Sequence, residues 1–172
     1  ELRAIGIQPD VLLCRTDRFL TQDVKSKISL FTNVPMEAVI TAKDVDNVYE
    51  IPLIFAREGL DTIILKQLGL PARKRNLLRW KAMLARMLHP EDEVDIALVG
   101  KYAELHDSYI SLRQALDHGG TAHNLKVNIN WIEAGELEKG RIQKILGGLD
   151  GILVPGGFGV RGIEGKIKAV TY

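Results

Sequence analysis

Short apolar runs alternate along this chain with segments in which apolar residues return every three or four positions. That alternation constrains the fold most, because buried strands joined through helices make a mostly parallel sheet covered by helices. Asp10-Val11-Leu12-Leu13-Cys14 is too short and too uniformly apolar for an amphipathic helix and reads as a buried strand. Thr21 is placed to cap a helix running to Phe31, with Val24, Ile28 and Phe31 on one stripe and Lys25 and Lys27 off it. Ala38-Val39-Ile40 reads as a second strand leading into Lys43-Asp44-Val45-Asp46. Pro52 and Gly59 then bound a second helix.

Residues 73–88 differ in character. Arg73, Lys74, Arg75, Arg79, Lys81 and Arg86 fall there with no acid among them, while Leu77, Trp80, Leu84, Met87 and Leu88 recur at helical spacing. The pattern predicts a basic amphipathic helix that packs its apolar stripe and leaves its charges in water; a nucleic-acid or membrane contact is the alternative. His89-Pro90 ends it, and Glu91, Asp92 and Glu93 after it read as a linker. A second unit follows. Val94–Gly100 reads as a strand, and Asp107 as the cap of a helix through Leu112 and Leu116 to Gly119-Gly120. The alternating Leu125, Val127, Ile129 and Trp131 form a strand, Glu136–Leu146 a helical segment, and Gly151–Val154 another buried strand. This order matches the start of a doubly wound sheet, which takes ligands at the carboxyl ends of its strands.

Of 172 residues, 46% are hydrophobic and 26% charged, enough for a real core, so a disordered chain is excluded. Net charge is +1, without the one-sign excess of a dedicated nucleic-acid or membrane-surface protein. No apolar stretch approaches the roughly 18 residues of a membrane span. A single Cys14 allows no internal disulfide, which together suggests a soluble, cytoplasmic protein. Cys14 itself reads as a small buried hydrophobe rather than a nucleophile. The four histidines have no metal-ligand spacing, and no metal site is expected. The absence of an initial Met and the abrupt last residues suggest a piece of something longer.

Chemistry is best concentrated after the last strand. Five of the twelve residues Pro155–Lys166 are Gly, which lets a backbone take positive φ or approach a ligand closely. Amide N–H groups beside a helix start hold an anion or a developing oxyanion. The plainer alternative is a loop that uses Gly only to turn. The run fits neither the phosphate-loop nor the usual dinucleotide pattern. Lys101, after the strand ending at Gly100, reads as solvated more readily than functional.

Leu153-Val154-Pro155-Gly156-Gly157-Phe158-Gly159-Val160-Arg161-Gly162-Ile163-Glu164-Gly165-Lys166 resembles the signature turn of the CTP synthase family. Val99-Gly100-Lys101-Tyr102, with Asp107-Ser108-Tyr109 and Ser111, resembles the start of that family's glutaminase domain. Gly6-Ile7-Gln8-Pro9-Asp10, Cys14-Arg15, Lys27-Ile28, Leu30-Phe31, Asn33-Val34-Pro35, Lys43-Asp44-Val45-Asp46 and Tyr49-Glu50-Ile51-Pro52 resemble the last part of its synthase domain. The resemblance implies an α/β protein: parts of two doubly wound, mostly parallel sheets, one P-loop-like and one flavodoxin-like, joined by a helical linker. It implies a synthase portion at 1–75, a connector at 76–93 and an amidotransferase portion at 94–172.

The family's reaction is ATP-dependent amination of UTP to CTP, the last step of de novo pyrimidine nucleotide synthesis. ATP and Mg²⁺ phosphorylate the 4-oxygen of UTP, ammonia displaces the phosphate, and a class I amidotransferase domain releases that ammonia from glutamine under activation by GTP. The resemblance assigns the backbone N–H of Gly157 to the oxyanion hole and Lys27 to UTP or inhibitory CTP. It assigns Lys43, Asp44, Val45 and Arg15 to ATP, and Phe158 and Arg161 to the GTP response. It implies a homotetramer with UTP, ATP, glutamine and GTP as partners, and neither nucleic acid nor membrane. It also puts the phosphate loop and Mg²⁺ ligands before Glu1 and the nucleophilic Cys after Tyr172, so the segment alone is expected to be inactive. A non-catalytic nucleotide-binding or interaction module of the same fold is the alternative.

Overall fold

A computed structural model describes residues 2–72, 74–103, 105–157 and 159–172. Two compact units divide the chain, Glu1–Arg79 and Trp80–Tyr172. In the first, β1 (Leu12–Thr16) and β2 (Val39–Lys43) pair in parallel, with Leu12 opposite Val39 and Thr16 opposite Lys43. A parallel pair needs a crossover, and α1 (Gln22–Thr32) supplies it. The Thr21 hydroxyl accepts from Val24 N at 3.4 Å, and Asn33 closes α1 in the left-handed region at φ 58°. Two short helices follow, α2 (Ile51–Glu58) with Pro52 in its first turn, and α3 (Leu60–Gln67); Gly59, at φ 78°, ends one and begins the other.

One face of this sheet is a core of Val34, Ala38 and Val39, with Leu12, Cys14, Leu20, Ile28 and Ile63 packed around it. Two sequence expectations change here. The strand starts two residues later than the run at Asp10, and it alternates rather than being buried throughout, with Leu13 54% exposed. The inward face of α1 runs through Lys25, Ile28, Ser29 and Thr32, leaving Val24 and Phe31 exposed. Lys25, expected off the stripe, points inward because it has a partner. Its Nζ lies 2.5 Å from Glu58 Oε2, with the two side chains 13% and 14% exposed.

The boundary falls in the first turn of α4 (Leu78–Leu88), and the second unit goes on through β3 (Asp92–Gly100), α5 (Ile110–His123), β4 (Leu125–Glu133), α6 (Ala134–Glu138), α7 (Ile142–Leu146), β5 (Gly151–Leu153) and α8 (Ile163–Thr171). Its strands lie in the order β4-β3-β5, all parallel. The first strand is central and its successors flank it, so winding reverses beside β3, where doubly wound sheets open a ligand crevice. Ala97, Val99, Ile132, Ala134, Leu137, Leu146 and Ala169 form the core.

Boundaries shift where local contacts override periodicity. The basic helix begins at Leu78, whose N–H donates to Asn76 Oδ1 at 3.0 Å. Arg75 lies before it, donating to Ala56 O at 2.6 Å and Asp61 Oδ1 at 2.7 Å. Asp92 and Glu93 are the first residues of β3, not a connecting segment. Asp107 sits inside a 3-10 turn, His106–Tyr109, and is not the cap of α5, which starts at Ile110 after Tyr109 without a side-chain cap. Gly120 does not stop α5 but lets it approach β4, since a Cβ there would stand 2.6 Å from Leu125 O. The segment Glu136–Leu146 breaks into α6 and α7 at Gly140 and Arg141, both at positive φ.

Candidate functional site

The loop leaving β2 bounds a cleft of about 500 Å³ in the first unit. Leu13 and Arg15, two apart on β1, share one face of the pleat and line it. Ala42, Lys43, Asp44, Val45 and Asp46 form one wall, and Val48, Ile51, Ile54 and Phe55 another. Arg15 Nε lies 2.7 Å from Asp44 Oδ1, while Asp44 N donates to Thr16 O at 2.8 Å and Lys43 Nζ to Asp44 O at 3.1 Å. The Asp44 carboxylate raises the Arg15 pKa, first by hydrogen bonding and then by its charge. An apolar floor under a charged rim suits a ligand with a flat, greasy part and a polar end.

Arg15, Lys43, Asp44 and Val45 thus come together. Lys27 does not join them: it is exposed on α1 and does not line the cleft. The apolar floor was missed from the sequence, although Ile51, Ile54 and Phe55 at helical spacing carried a signal for it. Glu58 was missed too. Its carboxylate also accepts from the N–H of Thr41, at 2.8 Å. Burial pushes the Glu58 carboxyl up, but hydrogen bonds from Lys25 and Thr41 outweigh it and hold the group below its ordinary range. Cys14 sits half-buried in the core; burial pushes its thiol up, against the pull of Lys25, which suits a packing role.

The glycine turn leaves β5 in the second unit. Pro155 is buried and Gly156 and Gly157 are exposed; Gly159 (φ 84°) and Gly162 (φ 78°) take conformations that favour glycine. Among the described residues, no backbone hydrogen bond is donated by Gly156 or Gly157. Lys166 ties the turn to α8, donating from Nζ to Pro155 O at 2.8 Å. Arg161 pairs with Glu133 at the end of β4, Nη2 to Oε1 at 3.1 Å. Phe158 lies outside the described residues. Lys101, read from sequence as solvated, reaches the turn: its Nζ is 3.4 Å from where a Cβ on Gly159 would stand. Donors and cations at a strand's carboxyl end suit a developing negative charge.

A family model described as CTP synthase N-terminus matches residues 1–70, and one described as glutamine amidotransferase class-I matches residues 104–172. All 172 residues align with the CTP synthase of Acidobacterium capsulatum at 56% identity, covering 31% of that protein. The whole chain also aligns at 55% identity with that of Koribacter versatilis and at 49% with that of Thermococcus gammatolerans, covering 31% and 32% of them. The chain belongs to the CTP synthase family. It spans about a third of the length of the curated relatives it matches. Within the chain, the cleft lies in the stretch matched by the N-terminal model and the glycine turn in the stretch matched by the amidotransferase model. No helix among the described residues is long and apolar enough to cross a membrane.

Proposed function

We propose that this segment serves a CTP synthase that aminates UTP to CTP, contributing to its nucleotide-binding region and to the turn that stabilises charge during glutamine hydrolysis. In that reaction ATP phosphorylates the 4-oxygen of UTP, ammonia attacks the carbon that bears it, and the oxygen leaves with the phosphate. Glutamine and water give glutamate and the ammonia. The observation that carries the reading is the glycine turn: two exposed glycines at a strand's carboxyl end, with no described backbone acceptor for their N–H groups and lysines on both sides.

Each residue then has a role. The Gly157 N–H donates to the oxyanion formed when water or a nucleophile adds to the glutamine side-chain carbonyl. Arg15, Lys43, Asp44 and Val45 hold ATP over the apolar floor of the cleft, and Lys27 supplies a point charge to UTP or CTP from α1. Arg161 and Phe158 belong to the response to GTP, the activator. Mg²⁺ would arrive with ATP and neutralise phosphate charge. In this reading its protein ligands come from other parts of the enzyme; in this segment Asp44 pairs with Arg15 at 2.7 Å. The reading divides the chain into a synthase portion at 1–75, a connector at 76–93 and an amidotransferase portion at 94–172. It includes a cytoplasmic homotetramer, with the phosphate loop and the nucleophilic Cys supplied by other parts of the enzyme.

Gly157→Pro in the full-length enzyme is the test, because proline removes the N–H. Glutamine-driven CTP formation should fall by about 10²–10³, the effect of losing one oxyanion donor, while ammonia-driven formation persists. Gly157→Ala keeps the donor and meets only the flexible end of Lys166, at 3.3 Å, so it should retain most activity. Equal glutamine-driven rates in the proline variant and wild type would refute the assignment.

A further inference from the structure

We propose that Tyr109 is a positioning residue for the glycine turn, acting through Lys101. The inference rests on the reading of that turn as the oxyanion site.

Tyr109 is buried in the turn before α5, its ring 6.0 Å from that of Trp131 on β4. Its hydroxyl oxygen accepts two backbone N–H groups, from Lys101 at 2.9 Å and Tyr102 at 3.3 Å. These are the first two residues after β3, where the chain leaves the sheet and its N–H groups have no strand partner. One oxygen therefore fixes the exit path of the strand. Gly100 makes room for it, since a Cβ there would stand 2.6 Å from the Tyr109 oxygen.

The segment so held reaches the glycine turn at two points. Lys101 Nζ approaches Gly159 as described above, and lies 5.5 Å from the centre of the Tyr102 ring. Arg161, on the turn itself, stands 5.9 Å from the same ring centre, so both cations lie close to Tyr102. Glu133 closes the arrangement: one carboxylate oxygen accepts from Ala103 N at 3.2 Å, the other from Arg161. Residues 101–103 are thus anchored by Tyr109 at one end and Glu133 at the other. A lysine side chain is long and flexible, and its ammonium favours an oxyanion only when its backbone origin is fixed. The tyrosine supplies that fixation without touching the turn.

The test uses the full-length enzyme with Tyr109→Phe, Lys101→Met and the double variant, measuring glutamine-driven and ammonia-driven CTP formation in each. Phenylalanine keeps the ring beside Trp131 and removes only the acceptor. Tyr109→Phe should lower kcat for glutamine about tenfold, with little change in the ammonia-driven rate, as expected for loss of an acceptor to two part-buried N–H groups. Adding it to Lys101→Met should cost nothing further. Costs that multiply in the double variant, an equal fall with ammonia, or a Tyr109→Phe enzyme matching wild type would each overturn the proposal. A wild-type enzyme that uses ammonia but not glutamine would instead overturn the oxyanion reading, and this inference with it.

Discussion

Gly165→Ala should destabilise the protein by about 2–3 kcal/mol, although alanine is the better helix former by ~1 kcal/mol. Gly165 is buried in α8 where that helix lies against α6. A Cβ there would fall onto the carbonyl oxygen of Ala134, and would stand 2.6 Å from the carbonyl carbon where ordinary contact begins at 3.4 Å. The obstacle is backbone, so no rotamer relieves it, and α8 must retreat by roughly 0.8 Å or more. Gly162 begins the same helix with a Cβ position only 3.0 Å from Ala134 Cβ, so the retreat drags the glycine turn with it. The control is Gly119→Ala on α5, where nothing lies within 4 Å; it should stabilise by about 0.5–1 kcal/mol. Urea denaturation of both variants measures the contrast in sign. A Gly165→Ala midpoint at or above wild type, or a Gly119→Ala midpoint that falls equally, would refute the close-approach argument.

The Lys25–Glu58 pair makes stability depend on pH. Because the folded Glu58 pKa is depressed, its contribution is complete above the ordinary carboxylate value of about 4.5 and is lost as pH falls below it. Glu58→Gln should therefore flatten the acid limb of a stability-versus-pH curve, and should cost roughly 1–3 kcal/mol at neutral pH by leaving the largely buried Lys25 without its carboxylate; an unchanged acid limb would count against the pair. At the cleft, Lys43→Ala and Asp44→Ala in the full-length enzyme should raise KM for ATP several-fold and leave glutamine hydrolysis measured alone unaltered. A change confined to glutamine hydrolysis would show that the cleft does not serve ATP.

Class and the succession of strands and helices were legible because burial leaves a direct mark on composition. The run around Leu98 is apolar since β3 is covered on both faces, and the alternation from Leu125 to Trp131 follows the pleat. Boundaries were less legible wherever a contact distant in sequence decides them. Arg75 belongs to the basic run by composition, yet its partners Ala56 and Asp61 hold it outside the helix. Gly119-Gly120 reads as a stop because glycine weakens helices, but Gly120 is needed for approach to Leu125, and only the fold reveals that demand. Lys25 and Lys27 have the same chemistry two positions apart. One is drawn inward by a carboxylate 33 residues away and the other stays in water.

The same distinction separates the two candidate sites. Arg15, Lys43 and Asp44 lie at the ends of paired parallel strands, so register alone brings them together: Arg15 faces Ala42 and Thr16 faces Lys43. Pairing two adjacent apolar runs in parallel is enough to foresee that cleft. The glycine turn draws on β3, β4, β5 and the turn before α5, and no pairwise register links Tyr109, Glu133 and Lys101 to Arg161. What joins them is that strands in a parallel sheet all end on the same side, leaving N–H groups that side chains must satisfy. Tyr109 and Glu133 accept from three consecutive residues after β3. Their identity follows from that geometric demand, and a sequence read one segment at a time gives no view of it.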